Sequence, residues 1–290
     1  MRRALCLSIS LAAALLSPSG AAHGANDPLL RPIEPDYARQ WLDPERPHRI
    51  FGNSYSVGFG GLSVALIRTD AGLILIDGAL PQAVRDIEAN IRALGFSIRD
   101  VKLILSTEPH YDHAGGLAAL ARDSGAPVVA SAYAAQVLRK AGKDANDPQA
   151  SIFVRIPAVT KLRIARSGEA VRLGGVTITP VATPGHTMGS MSWRWRSCEG
   201  RDCRDMVFAS SLNAVSGDGY RFSDPAHRSQ VAALRKSFAI MRALPCDMLI
   251  TAHPDQGKGA NCRSYADSAQ ARLDARLRKE ASARPWNALR

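Results

Sequence analysis

The chain has 290 residues, 46% of them hydrophobic, so it can bury a large core as one long domain or two short ones. Its formal net charge is +11, but the arginines are scattered, and in the densest set Arg272, Arg276 and Lys279 have the spacing of one solvated helix face. No nucleic acid partner is expected, and no segment after the N-terminus approaches the roughly 20 apolar residues that a membrane-spanning helix needs.

Arg2 and Arg3 precede an apolar run over residues 4–16, and small residues follow at Gly20, Ala21, Ala22 and Gly24. This is the pattern of a secretory signal peptide, residues 1–25, with cleavage between 22 and 25. The mature chain, 26–290, is expected to be a soluble monomer exported to the periplasm or the medium. Cys6 leaves with the signal, and Cys198, Cys203, Cys246 and Cys262 form an even set suited to an oxidising compartment. Proximity suggests disulfides Cys198 with Cys203 and Cys246 with Cys262. A zinc ribbon would want two C-x-x-C pairs, and neither spacing provides one.

Residues 26–49 are rich in proline and charge, with Trp41 as an anchor, and read as an extended arm. Stretches 50–55, 56–68 and 72–77 alternate or run apolar between glycines, which predicts consecutive antiparallel strands. Gly58, Gly60 and Gly61 mark a bulge or hairpin tip in the second of them; they do not form a G-x-G-x-x-G dinucleotide fingerprint. A helix is expected over 81–94, from the spacing of Val84, Ile87, Ile91 and Leu94, then a strand over 101–105. Helix 116–123, strand 127–130 and helix 132–140 follow, and then a loop over 141–151 rich in Asp, Asn and Gly. The second half repeats the theme with strands at 170–173, 176–181, 190–196 and 206–210. A long helix over 225–244 opens with Ser223-Asp224-Pro225, a cap and a first-turn proline. Strand 248–251 and helix 264–281 close the chain. Strands then helix, twice over, suggest two β-rich halves face to face with helices outside, in a single domain because no linker divides them.

Histidines follow apolar strands in three places: Glu108-x-His110-x-Asp112-His113, Thr183-Pro184-Gly185-His186-Thr187 and Thr251-Ala252-His253-Pro254. Open α/β sheets carry their ligand sites at the carboxyl ends of strands. If the three strands end at one edge, six nitrogen and oxygen ligands converge, a donor set that suits Zn²⁺. Alone, His186 or His253 reads as a loop or core histidine and Asp112 as a helix cap; together with the cluster they read as a metal site. His48 and His227 lack this context and are taken as surface residues.

These segments resemble the metallo-β-lactamase superfamily, whose signature is H-x-H-x-D-H, and within it the third subclass of the true metallo-β-lactamases. Supporting pieces are Asp77-Gly78, Asp112-His113-Ala114-Gly115-Gly116, Ser211-Leu212-Asn213 and Cys262-Arg263-Ser264-Tyr265-Ala266-Asp267. The resemblance implies an αβ/βα sandwich with the site at the sheet edges. It implies a first zinc on Glu108, His110 and His186, and a second on Asp112, His113 and His253. A hydroxide between the metals, fixed by Asp112, would attack the lactam carbonyl, while Ser211 and Asn213 would recognise the carboxylate of a small-molecule β-lactam. Glu108 stands where the signature has histidine, and Ser210 where aspartate is usual. A harder oxygen donor at Glu108 is expected to weaken the first zinc site relative to the second. Two other readings stay open: a superfamily hydrolase acting on a lactone or thioester, and a non-catalytic envelope protein that binds zinc for structural reasons.

Overall fold

The computed structural model describes residues 27–282, and the signal-peptide segment expected at 1–25 lies outside them. A seven-stranded sheet runs in the order β1 (His48–Phe51), β2 (Ser54–Ser56), β3 (Ala65–Thr69), β4 (Gly72–Ile76), β5 (Val101–Leu105), β6 (Val128–Ala130) and β7 (Leu162–Ile164). It is antiparallel as far as β4 and parallel beyond it. A five-stranded sheet contains β8 (Val171–Leu173), β9 (Val176–Ala182), β10 (Met191–Glu199), β11 (Asp202–Ala209) and β12 (Met248–Thr251), with β12 parallel to β11 at one edge and β8 at the other. The helices are α1 (Pro35–Trp41), α2 (Val84–Ala93), α3 (Tyr111–Ala114), α4 (Leu117–Ser124), α5 (Ala132–Arg139), α6 (Arg228–Ala243), α7 (Pro254–Gly257) and α8 (Cys262–Ser282). None is long and apolar enough to cross a membrane.

Strand periodicity builds the layers. In β4, Leu73 and Leu75 pack under α2, α4 and α5 with Ile87, Ile91, Leu117, Leu120 and Leu138. Their alternates Ile74 and Ile76 face the second sheet, against Ile178, Trp193, Trp195 and Phe208. A strand buried on both faces has to be apolar throughout, which is why Leu73 to Ile76 shows no polar break. In β11, Met206 and Phe208 point between the sheets, while Val207 and Ala209 pack beneath α6 and α8 with Leu234, Phe238 and Tyr265. The result is the expected four-layer αβ/βα sandwich. Both proximity-paired disulfides are present: Cys198–Cys203 ties facing positions of β10 and β11, and Cys246–Cys262 ties the start of α8 to the segment before β12.

Three expectations are corrected, and one strand was not anticipated. The strand predicted over 50–55 is a hairpin, because Gly52 turns the chain at φ 54° and a Cβ there would lie 2.7 Å from the Cys198 carbonyl oxygen. The strand predicted over 56–68 breaks at Ser56; the glycine-bearing stretch folds on itself through Val57 N–H to Val64 O and Phe59 N–H to Leu62 O, and β3 starts only at Ala65. Residues 26–49 are not simply extended, since α1 lies within them. Strand β7, short and largely exposed, carries no alternation that could have announced it.

Candidate metal centre

Strand β5 delivers its candidate ligands through a tightly held turn. Thr107 donates its backbone N–H and its hydroxyl to Asp77, at 2.7 and 2.6 Å, and so joins the ends of β4 and β5. Across the sandwich, Met191 N–H donates to Thr107 O at 2.8 Å and the Trp193 indole to Ser106 O at 3.3 Å. Gly116 allows the next helix to approach, because a Cβ there would lie 2.2 Å from Gly78 O. The carboxyl ends of β5, β9 and β12 therefore meet at one edge and bring together the residues that the sequence singled out.

They form two groups, Glu108 with His110 and His186, and Asp112 with His113 and His253, each with one ligand atom per residue and all within 4.8 Å of one another. In the first, His110 Nδ1 lies 3.1 Å from His186 Nε2, and Glu108 Oε1 lies 3.6 Å from His186 Nε2. In the second, His113 Nε2 and His253 Nε2 are 3.2 Å apart, and Asp112 Oδ2 is 3.2 and 3.1 Å from them. Donors bound tetrahedrally at zinc's bond lengths stand about 3.3 Å apart, so both groups fit that ion.

The outward nitrogens support the same conclusion. His110 Nε2 lies 3.1 Å from Asp147 Oδ2, His186 Nδ1 2.7 Å from Asn213 O and His253 Nδ1 3.2 Å from Gly61 O. These oxygens can only accept, so each ring donates outward and turns its other nitrogen inward. Two inward lone pairs at 3.1 Å repel unless a cation or proton lies between them. Glu108 Oε1 is likewise buried without a hydrogen-bond partner, while Oε2 accepts from Ser211 N–H at 3.0 Å. Oε1 is also 3.2 Å from His113 Nε2, so Glu108 stands on the border of the two groups.

Burial and charge oppose each other throughout the centre. Burial works to raise the Asp112 carboxyl, but His113 and His253 hold it well below the ordinary carboxylate range. Burial acts on Glu108 in the same sense, and His186, His113 and His110 outweigh it and lower its pKa. His113 is driven up to about 10: burial disfavours its charge, and Asp112, Glu108 and Asp77 overcome that. Burial pushes Asp77 up to about 7. His110 is raised because the hydrogen bond and charge of Asp147 outweigh burial, whereas burial and neighbouring His110 keep His186 below its usual value.

The groups open into a cleft of about 360 Å³ lined also by Trp41, Tyr111, Gln149, Ser211, Asn213 and Val215. Ser211 is buried and its hydroxyl has no hydrogen-bond partner. Asn213 Oδ1 accepts from Arg272 Nε at 3.0 Å. Arg276 donates to Ala214 O and Ser216 Oγ, both at 2.6 Å. The α8 face read as merely solvated is thus a brace for the 211–216 segment. Ser210, in place of aspartate, joins a buried hydroxyl network, 2.8 Å from Thr183 Oγ1 and 3.5 Å from Ser192 Oγ. His48 and His227 join neither group. The sequence reading missed Asp147 and Gln149, whose amide nitrogen lies 3.3 Å from His110 Nδ1. Their one signal was the polar composition of the 141–151 loop, which has no period that could aim a side chain.

The family model of the metallo-beta-lactamase superfamily matches residues 57–253. Among solved structures, the chain is similar to a B3 metallo-beta-lactamase with an active site glutamic acid, at 55% identity and TM-score 0.86, covering 89% of this chain and 99% of that one. It is also similar to the Rm3 metallo-beta-lactamase, at 42% identity and TM-score 0.82 over 87% of this chain and 100% of that one. MEM-A1, a subclass B3 enzyme from a soil metagenome library, shares 42% identity at TM-score 0.80, over 83% of this chain and 98% of the other. Among curated proteins, a hydroxyacylglutathione hydrolase of Rhodospirillum rubrum is 25% identical over 184 residues, 63% of this chain and 57% of that enzyme. One from a Bradyrhizobium species is 30% identical over 132 residues, 46% of this chain and 41% of that one. The match therefore spans less than two thirds of these curated relatives' length. With two facing sheets, six side chains able to hold metal at their common edge and a family match across most of the chain, the protein belongs to the metallo-beta-lactamase superfamily.

Proposed function

We propose that the protein is an exported, single-domain β-lactamase that uses two zinc ions to hydrolyse the amide of penicillins, cephalosporins and carbapenems. The observation that carries this reading is Glu108 inside a ligand group, in a chain 55% identical to a B3 metallo-beta-lactamase that has an active site glutamic acid. Glu108, His110 and His186 would hold one ion, and Asp112, His113 and His253 the other. When bound, zinc lowers the pKa of water to about 7 and polarises a carbonyl. Asp112, held ionised by His113 and His253, can accept a hydrogen bond from the attacking water and orient it. The partnerless Ser211 hydroxyl and the amide of Asn213 line the cleft where a substrate carboxylate would dock. Export to the periplasm or the medium is supported by the N-terminal pattern and by the two disulfides.

Thioester hydrolysis is the second reading, and the hydroxyacylglutathione hydrolases among the relatives favour it. A chromogenic cephalosporin, an acyl-glutathione thioester and an acyl-homoserine lactone should be compared with zinc and with a chelator. Lactam turnover that a chelator abolishes and zinc restores is expected. Turnover of the thioester or lactone with none of the lactam would overturn the proposal.

A further inference from the structure

Asp147 divides its carboxylate between two tasks. Oδ1 accepts from the Gln149 backbone N–H at 2.7 Å and shapes the turn of its own loop, while Oδ2 accepts from His110 Nε2 at 3.1 Å. That loop has independent fastenings: Asp144 Oδ2 accepts from the Tyr133 hydroxyl at 2.7 Å, Pro148 O from Gly217 N–H at 3.0 Å and Asp218 O from the Ser151 hydroxyl at 3.2 Å. The Asp147 side chain is nearly buried, at 9% exposure, so water competes little for it. A carboxylate here can only accept, and it therefore holds the His110 proton on Nε2 and leaves Nδ1 facing His186. The turn it shapes also brings the Gln149 amide nitrogen within 3.3 Å of His110 Nδ1 and 3.4 Å of His186 Nε2.

We propose that Asp147 is the positioning residue of the Glu108/His110/His186 site, and that through it the binding of that one metal ion and the order of loop 141–151 are coupled. The inference rests on the two-metal reading above. Hydrogen-bonded partners of metal-bound histidines fix ring orientation and raise ligand basicity, and losing one costs about ten- to hundredfold in metal affinity. The coupling is reciprocal: if the ordered loop strengthens binding, bound metal orders the loop by the same free energy. His113 and His253 find their outward contacts on Asp77 and Gly61, outside this loop, so the other site is not part of the coupling.

The test is a competitive chelator titration of zinc from the full chain, with amide hydrogen exchange followed over residues 141–151. In Asp147→Ala one of the two zinc affinities should fall about ten- to hundredfold and the other stay unchanged. Asp147→Asn, which keeps one acceptor oxygen, should recover part of the loss. Asp144→Ala loosens the same loop at Tyr133 without touching His110 and should lower only the affinity that Asp147→Ala lowers, and by less. Zinc should slow exchange in the loop of the native chain and not in Asp147→Ala. An equal fall at both sites, no fall at either, or an equal fall in Asp144→Ala overturns the proposal while leaving the β-lactamase reading standing. A native chain that binds no zinc overturns both.

Discussion

The two ligand groups use nearly the same donors, yet they differ in what stands behind them. Behind His113 lies the core, where Asp77, fully buried and tied to Thr107, sits 3.7 Å from Nδ1, while His253 meets Gly61 O in the turn between β2 and β3. Behind Glu108, His110 and His186 lie loops: Asp147, the carbonyl of Asn213 and the N–H of Ser211. A ligand braced by the core is as rigid as the fold, and one braced by a loop is as rigid as the loop's attachment. Identity of the ligands therefore does not fix how firmly a site is built.

The largest test of this contrast is His113→Ala. His113 is 1% exposed and supplies the buried positive charge that Asp112, Glu108 and Asp77 share. Removing one partner of such a set costs about 3–5 kcal/mol, which urea unfolding of the metal-free protein would measure. His186, whose pKa lies below the ordinary histidine value, supplies less charge, and His186→Ala should cost less. Equal losses would break the comparison.

Dependence on pH comes next. In the metal-free protein His113 titrates near 10, above its unfolded value, so its stabilisation is complete below pH 6.5 and is lost as pH rises through 10. Asp77, raised to about 7, binds its proton more tightly folded than unfolded; its destabilising effect grows as pH rises from about 4 to 7 and then stays. Both effects lower metal-free stability as pH rises. Zinc affinity at the second site should move the other way, because the His113 proton must leave: roughly tenfold stronger per pH unit between about 7 and 10. A flat affinity across that range, measured in non-coordinating buffers, would show that His113 is already neutral.

Stepwise chelation reads the contrast directly. The Glu108 site is expected to lose its zinc first, and two ions leaving together at equal affinity would sink that expectation. Glu108→His should strengthen the first site by supplying a nitrogen donor. It also strips Ser211 N–H of its carboxylate acceptor, at a cost of about 1–3 kcal/mol in metal-free stability.

This contrast also separates what could be read from the sequence from what could not. Candidate ligands at strand ends were legible, because the largely apolar patterns of β5, β9 and β12 announce strands and histidines follow within a few positions of their ends. The sandwich was legible for the same reason: β4 and β11 divide their side chains between two cores. The hairpin within 50–55 was missed because the turn that reverses the chain is only Gly52-Asn53, with Gly52 left-handed, too short to break the stretch when it is read as one strand. Asp147 was hidden because it reaches His110 across 37 positions from a loop with no regular period. Arg272 and Arg276 showed their helical spacing but not that a loop lies against it.

Those arginines make the smallest prediction and extend the contrast to the substrate. The segment bearing Ser211 and Asn213 is held from outside by α8: Arg276 spans Ala214 O and Ser216 Oγ and lies 4.7 Å over the Phe222 ring. Two hydrogen bonds from one guanidinium need its rigid fork, which lysine cannot reproduce. Arg276→Lys should therefore behave like Arg276→Ala. A loss of about 1 kcal/mol in loop order corresponds to KM for a cephalosporin rising roughly fivefold, with kcat nearly unchanged because Asp112 and its histidines are not touched. If Arg276→Lys retained native KM, charge near the cleft rather than loop geometry would be the operative quantity. If either variant also weakened the His113 zinc, the core behind that group would not be independent of the loops, and the distinction between the two halves of the centre would fail.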